Sequence, residues 1–346
     1  MHVKVTELFN IKYPILQAPM AGVQGSELAI AVAQAGGLGA LPCAMLTPEA
    51  IKRELHTIRM ATTSPINVNF FCHQAPSPDV VQEDLWRSAL RPYYLELGLD
   101  PDAIPEVPGR RPFDAEACDV LSEFEPEVVS FHFGLPNEQL LNRIRGWGGK
   151  IISSATTLEE AIWLQAKGVD AIIAQGLEAG GHRAMFLTDD VTQQKGLFSL
   201  LPQLLEHTSI PIIAAGGIAS PKAVRAALTM GAAGVQVGTA YLLCPEAKTT
   251  PVHRQVLKSS AADHTALTRL FSGRPARGIV NRIMRELGPL SSLPPAFPLA
   301  STAIAPLRSA SEALNNADFT PLWAGQNVTG CQEIAAGELT HWLASD

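Results

Sequence analysis

Apolar residues along this chain gather in short runs that break at Gly, Pro or Asn. Eight such runs stand out: 14–20, 36–42, 65–71, 127–134, 150–155, 170–176, 211–217 and 234–242. Most show no strict alternation, as expected of parallel strands covered on both faces. Between them lie stretches with helical periodicity, at 26–35, 48–60, 137–146, 157–167, 198–207 and 220–230. "TTLEEAIWLQAKG" opens on a capping threonine and closes on glycine. "ASPKAVRAALTMG" does the same, with Pro221 in the first turn.

Eight strands alternating with helices predict an α/β fold, a TIM (β/α)8 barrel. A doubly wound sheet is the competing architecture, but no GxGxxG follows the first strand. The glycines of "GAAGVQVG" precede and enter a strand instead of opening a helix. The nearly apolar segment 28–46 resembles a membrane span. Gly36, Gly37, Gly39 and Pro42 interrupt it, so it reads as a helix, a turn and a buried strand.

Two long Pro-rich segments fall outside the repeat, 72–126 and 245–325. Both are attached at the C-terminal ends of predicted strands, where barrels build their sites. The predicted organisation is a barrel from 1–71 and 127–244, with the two segments forming a smaller, mainly helical cap domain over the mouth. Residues 326–346 then form a closing helix packed on the barrel.

Composition narrows the function. Hydrophobic residues make up 47% of the 346 and charged residues 17%, an ordinary globular balance. The net charge of −7 and the lack of any Lys/Arg block argue against nucleic acid and anionic membranes as partners. The five cysteines are scattered without a CxxC, and the first residues lack the apolar core of a signal peptide, so a cytoplasmic protein is expected. A homodimer is compatible with the sequence.

The strand ends carry amides, histidines and bare backbone: Gln17–Met20, Asn67–Asn69, Phe131–His132, Gln175–Gly176, Gly216–Gly217 and Gly238–Thr239. Glu178 is the only carboxylate close by and reads as structural or solvated, which argues against a two-carboxylate hydrolase and a magnesium site. His182 and His132 have no third ligand for a catalytic metal. The glycines after the seventh and eighth strands suit a phosphate held by backbone N–H groups and a helix N-terminus. Asn69 and Gln175 either meet the edge of a flavin or nucleobase or simply satisfy backbone. His182 follows the pair Gly180–Gly181 and is a candidate acid or base. His132 either faces the site or fills the barrel. Arg183 reads as solvent-facing, and Cys72 and Cys244 as inert thiols.

In this order, "QAPMAG", "NVNFF", "SFHFG", "GLEAGGHR", "PIIAAGGI" and "GVQVGTAYL" resemble the nitronate monooxygenases, once called 2-nitropropane dioxygenases. "FSGRPARGIVNRIMRE" and "LWAGQ" are similar to the longer, bacterial-type branch. The resemblance covers nearly the whole chain. It implies a TIM barrel binding FMN non-covalently and an oxidoreductase that converts an alkyl nitronate and O2 to a carbonyl compound and nitrite. It implies a phosphate held around Gly180, Gly181, Gly216, Gly217, Gly238 and Thr239. Ala18, Met20, Asn69, Gln175 and Gln236 would surround the rest of the cofactor, with His182 and His132 as catalytic histidines and no metal. Where some members carry tyrosines, this chain has Phe297, Phe319 and Trp323. Two alternatives share the barrel: an FMN-dependent NAD(P)H reductase of enoyl thioesters or quinones, and a non-catalytic flavin-binding protein.

Overall fold

A computed structural model describes residues 3–104 and 110–345. Part of the predicted cap segment 72–126, residues 105–109, lies outside the described residues, as do the two ends of the chain. The strands in chain order are β1 (Ile15–Gln17), β2 (Gly39–Pro42), β3 (Ile66–Phe71), β4 (Val128–His132), β5 (Lys150–Ala155), β6 (Ala171–Gln175), β7 (Gly181–His182), β8 (Ile212–Ala215), β9 (Gly234–Val237), β10 (Thr265–Thr268) and β11 (Ala276–Ile279). Among the described residues, eight are parallel neighbours in the order β1-β9-β8-β6-β5-β4-β3-β2. A parallel bridge between Leu16 and Leu38 joins β1 to β2 and completes the barrel. All eight predicted strands are present.

The helices are α1 (Val5–Leu8), α2 (Ser26–Ala35), α3 (Pro48–Ala61), α4 (Val80–Glu96), α5 (Ala115–Phe124), α6 (Glu138–Gly146), α7 (Leu158–Ala166), α8 (Leu197–His207), α9 (Pro221–Thr229), α10 (Pro251–Leu257), α11 (Arg282–Leu287), α12 (Ala300–Ala313) and α13 (Ala336–Leu343). Local chemistry sets their starts. Thr157 accepts from the Glu160 N–H at α7, and Ser220 from the Ala223 N–H at α9, where Pro221 occupies the first turn. The apolar stretch 28–46 is α2 followed by buried β2, and no helix among the described residues is long and apolar enough to cross a membrane.

Strand alternation sorts the core into two layers. Leu16, Leu38, Val128, Ile152, Ala171, Ile173 and Ile213 fill the barrel interior, which Val5 and Phe9 close from below. Their neighbours Ile15, Val68, Val129, Ile151, Ile172, Ile212 and Val235 face the helical layer. α13 packs on α2, and Thr340 of α13 shares a 2.8 Å hydrogen bond with Tyr241 in the turn after β9.

The cap has its own core, in which Trp86, Leu90 and Tyr94 of α4 meet Ile304 and Leu307 of α12 together with Phe271 and Phe319. Trp86 Nε1 and Tyr94 Oη donate to the carbonyls of Ala300 and Ala303, binding the two helices together. Two features were not anticipated. α5, placed in the cap by the sequence boundary 72–126, belongs to the barrel layer, where Cys118 and Leu121 join the main core. The cap also holds an antiparallel sheet, β10-β11-β7, whose edge strand is the His182 segment itself.

Candidate active site

The same alternation that builds the barrel delivers polar groups to its mouth. Residues two apart along a strand share a face, so Ser130 and His132 follow Val128 inward, Ser154 follows Ile152, and Gln175 follows Ile173. Asn69 on β3 and Gln236 on β9 occupy matching inward positions. One cavity at this end is lined by every residue that the resemblance assigns to cofactor or catalysis: Ala18, Met20, Asn69, His132, Gln175, Gly180, Gly181, His182, Gly216, Gly217, Gln236, Gly238 and Thr239. Phe71, Arg110, His253, Trp323 and Asn327 complete much of the wall.

His182 is held from several directions. Its carbonyl accepts from Gln175 Nε2 at 2.9 Å and pairs with His132 Nε2 at 3.1 Å. Gln175 Oε1 accepts from the Ala184 N–H at 2.9 Å. Backbone contacts are thus made at both ends of this amide, while Gln175 still lines the cavity with a second N–H and a second lone pair to spare. The carbonyl bond also fixes the His132 tautomer, with the proton on Nε2, because a carbonyl only accepts. His182 Nε2 lies 2.9 Å from Ser272 Oγ, which leaves Nδ1 without a protein partner among the described residues. Phe71, Phe133, Phe297 and Trp323 surround the imidazole, with ring centroids 5.4–6.0 Å away.

This aromatic enclosure governs charge. Burial, reinforced by Arg110 and then by His132, Arg274 and His73, pushes the His182 pKa well below its usual range. Burial lowers His132 to about 4, and Arg274 and Arg183 act in the same direction. His73, in contact with Phe133 and Phe297, is also lowered to about 4 by burial. These imidazoles are neutral at pH 7. No carboxylate lines the cavity among the described residues.

Arg183 corrects its solvent-facing reading, since it is fully buried. It donates to the carbonyls of Gly176 and Gln175 at 2.9 and 2.8 Å and to Gln194. Burial, with Arg277 nearby, lowers its pKa to about 9, so it remains charged at neutral pH. Glu178 is structural, accepting the Leu197 N–H at the start of α8. Burial raises the thiol pKa of Cys72, and that of Cys244 to about 12, consistent with inert thiols. No group of three or more metal-binding side chains is found among the described residues.

The glycines divide by cause. A Cβ on Gly180 would stand 2.5 Å from the backbone of Ala324 and Gly325, so this position is glycine because another chain segment crosses it. Gly217 has φ +69 and meets only the Glu178 side chain, so its conformation is the constraint. Asn327 Nδ2 donates to the Gly217 carbonyl at 3.1 Å, and Thr239 Oγ1 accepts from the Gly325 N–H at 2.9 Å. Asn69 Nδ2 is bonded to Ser130 Oγ at 2.9 Å.

Several groups in or beside the cavity carry no signal in the sequence. Ser272 lies inside the "FSGRPARG" segment, but its partner His182 is 90 positions away. Arg110 and His253 carry no local signal. The His253 Nε2 is buried without a partner, as is Gln236 Oε1. Phe297 and Trp323 reach the site, whereas Phe319 packs in the cap core.

A family model described as nitronate monooxygenase matches residues 3–346. A nitronate monooxygenase of Pseudomonas aeruginosa is 38% identical over 99% of this chain and 98% of its own length. One from Paraburkholderia phytofirmans is 38% identical over 97% and 92%. Among solved structures, a nitroalkane oxidase from Streptomyces ansochromogenes has a TM-score of 0.88 at 38% identity, covering 98% of this chain and 96% of that one. FabK from Thermotoga maritima, at 24% identity and a TM-score of 0.69 over 99% and 95%, shares the fold. These matches run through barrel and cap alike, and the chain therefore belongs to the nitronate monooxygenase family.

Proposed function

We propose that this chain is an FMN-dependent nitronate monooxygenase, oxidising alkyl nitronates of the propionate 3-nitronate type with O2 to a carbonyl compound and nitrite. The observation that carries the reading, beyond family membership, is the charge of the cavity. It combines neutral imidazoles with the Arg110 guanidinium and has no carboxylate lining it among the described residues. A nitronate is already an anion, so it needs a receptive pocket more than a base.

The residues present fit a flavin mononucleotide. Among the described residues, nothing accepts a hydrogen bond from the N–H of Gly217, which lines the cavity with Gly216 just before the N-terminus of α9. These groups suit a phosphate. Gln236 Oε1, buried and unpaired, suits a donor on the cofactor. Ala18, Met20, Asn69, Gly180, Gly181, Gly238 and Thr239 would border it, while Gln175 would act through the His182 loop. Bound FMN would accept electrons from the nitronate.

The protein's own part is to bind and orient. His182, its Nε2 engaged with Ser272, presents Nδ1 to the substrate, and His132 holds the His182 carbonyl. Phe71, Phe297 and Trp323 exclude water around them. With a neutral nitroalkane the unprotonated His182 would have to take the α-proton, so His182→Ala should impair nitroalkane turnover far more than nitronate turnover. The five cysteines are free thiols, which supports a reducing compartment, the cytoplasm.

Anaerobic mixing tests the proposal. Rapid bleaching of the flavin absorbance by propionate 3-nitronate is expected, with NADH and NADPH inert. Bleaching by pyridine nucleotide with the nitronate inert would make the protein a reductase.

A further inference from the structure

A second cavity adjoins the first, and the two share Arg110 and Trp323 in their linings. Its other walls are largely apolar, from Met45, Leu46, Phe271 and Ile304, with Arg111 and Arg308 beside them. No carboxylate lines it among the described residues. The three arginines are not equivalent. Arg111 pairs with Asp114 at 2.8 Å and Glu116 at 3.0 Å, and Arg308 pairs with Glu312 at 2.9 Å. The Arg110 guanidinium has no ion pair or hydrogen bond among the described residues and only lies over the Phe297 ring, 5.6 Å from its centroid.

A half-buried guanidinium without a counter-charge is costly, and an anion arriving there gains charge-assisted hydrogen bonds. The His182 ring lies 5.4 Å from the same Phe297 ring. His182 and Arg110 therefore border one aromatic side chain and line the same cavity. The surfaces beside them, Phe71, Phe297 and Trp323, suit the methylene groups of a short carbon chain.

Resting on the nitronate reading above, we propose that Arg110 is a specificity-determining residue that receives a second anionic group, a carboxylate carried on the same short chain as the nitronate. His182 takes the nitronate end and Arg110 the carboxylate end. The second cavity is the approach to this throat.

The test compares propionate 3-nitronate with propyl 1-nitronate on the FMN-loaded enzyme. The native enzyme should favour the carboxylated substrate in kcat/KM by tenfold or more. Arg110→Met and Arg110→Gln should each cut that ratio by about 10- to 100-fold, chiefly through KM, and Arg110→Lys should retain part of it. An unchanged ratio in both neutral variants would overturn the proposal, because equal losses on the two substrates mean that Arg110 serves the nitronate itself or the fold. Binding of succinate against butyrate, followed by tryptophan fluorescence, gives a readout without turnover. Preferential succinate binding that Arg110→Met abolishes supports the carboxylate site even if no nitronate is oxidised, in which case only the reaction assignment fails. Equal binding of the two acids by the native protein would sink the Arg110 site.

Discussion

The two sides of the cavity are built on opposite principles. The side formed by β8, β9 and the loops after them offers backbone, through Gly216, Gly217 and Gly238, with Gln236 as an unpaired amide. The side beneath the cap offers rings and guanidinium groups: His132, His182, Phe71, Trp323 and Arg110, with Phe297 packed against His182. Backbone N–H groups do not titrate, so the first side keeps the same charge across the pH range. The second side owes its charge state to burial, which makes it responsive to acid, to packing and to the cap.

The largest effect should come from joining the sides by force. Gly180→Val would drive a side chain into the backbone of Ala324 and Gly325. A loss of about 3 kcal/mol or more is expected, seen as a drop in Tm and in soluble yield together with lost activity. A stable, active variant would show that the 324–325 segment is free to move.

Acid should separate the sides next. The folded pKa values of His73 and His253 are about 4 against 6.5 for the free side chain, both lowered chiefly by burial. Below pH 6.5 the unfolded chain takes up these protons first, so stability falls as the pH drops towards 4. Each histidine contributes up to about 1.4 kcal/mol per pH unit in that window and nothing above it. Denaturant titrations from pH 7 to pH 4 should show the slope, and His253→Gln should flatten it. An identical slope in that variant would mean that other groups control acid unfolding.

Gln175 sharpens the contrast, because it reaches from a barrel strand to serve the ring side. Gln175→Leu removes both hydrogen bonds to the 182–184 backbone and should cost about 2 kcal/mol in kcat/KM, with flavin affinity nearly retained. A loss confined to flavin binding would return Gln175 to the cofactor. The smallest effect expected is that of Gly217→Ala, where a φ of +69 imposes about 1 kcal/mol of strain. Denaturant titration should show a stability loss of about that size, with the succinate response of the ring side unaltered.

The barrel was legible because strands buried on both faces leave apolar runs bounded by turn residues, and because helices such as α7 and α9 carry their own caps. The strand ends followed from the barrel itself. What stayed hidden depends on partners distant in sequence. Gln175 does not reveal its backbone contacts until the position of Ala184 is known. Arg183 looks like an exposed cation until the carbonyls of Gln175 and Gly176 are seen to surround it. The long, Pro-rich character of 72–126 points the whole segment to the cap, although the apolar face of α5 with Cys118 and Leu121 belongs to the barrel. The cap sheet left no trace, since its edge strand is two residues long and lies in a barrel loop.

That edge strand bears on how such enzymes can be rebuilt. Gly181 and His182 are covalently part of the loop after β6, yet they pair with β11, where His182 stands opposite Ala276 and Gly181 opposite Arg277. The cap is therefore not an exchangeable module. A chimera that took the barrel from one parent and the cap from another would have to preserve this two-residue ladder, or it would shift His182 while trying to alter only the cavity beside it.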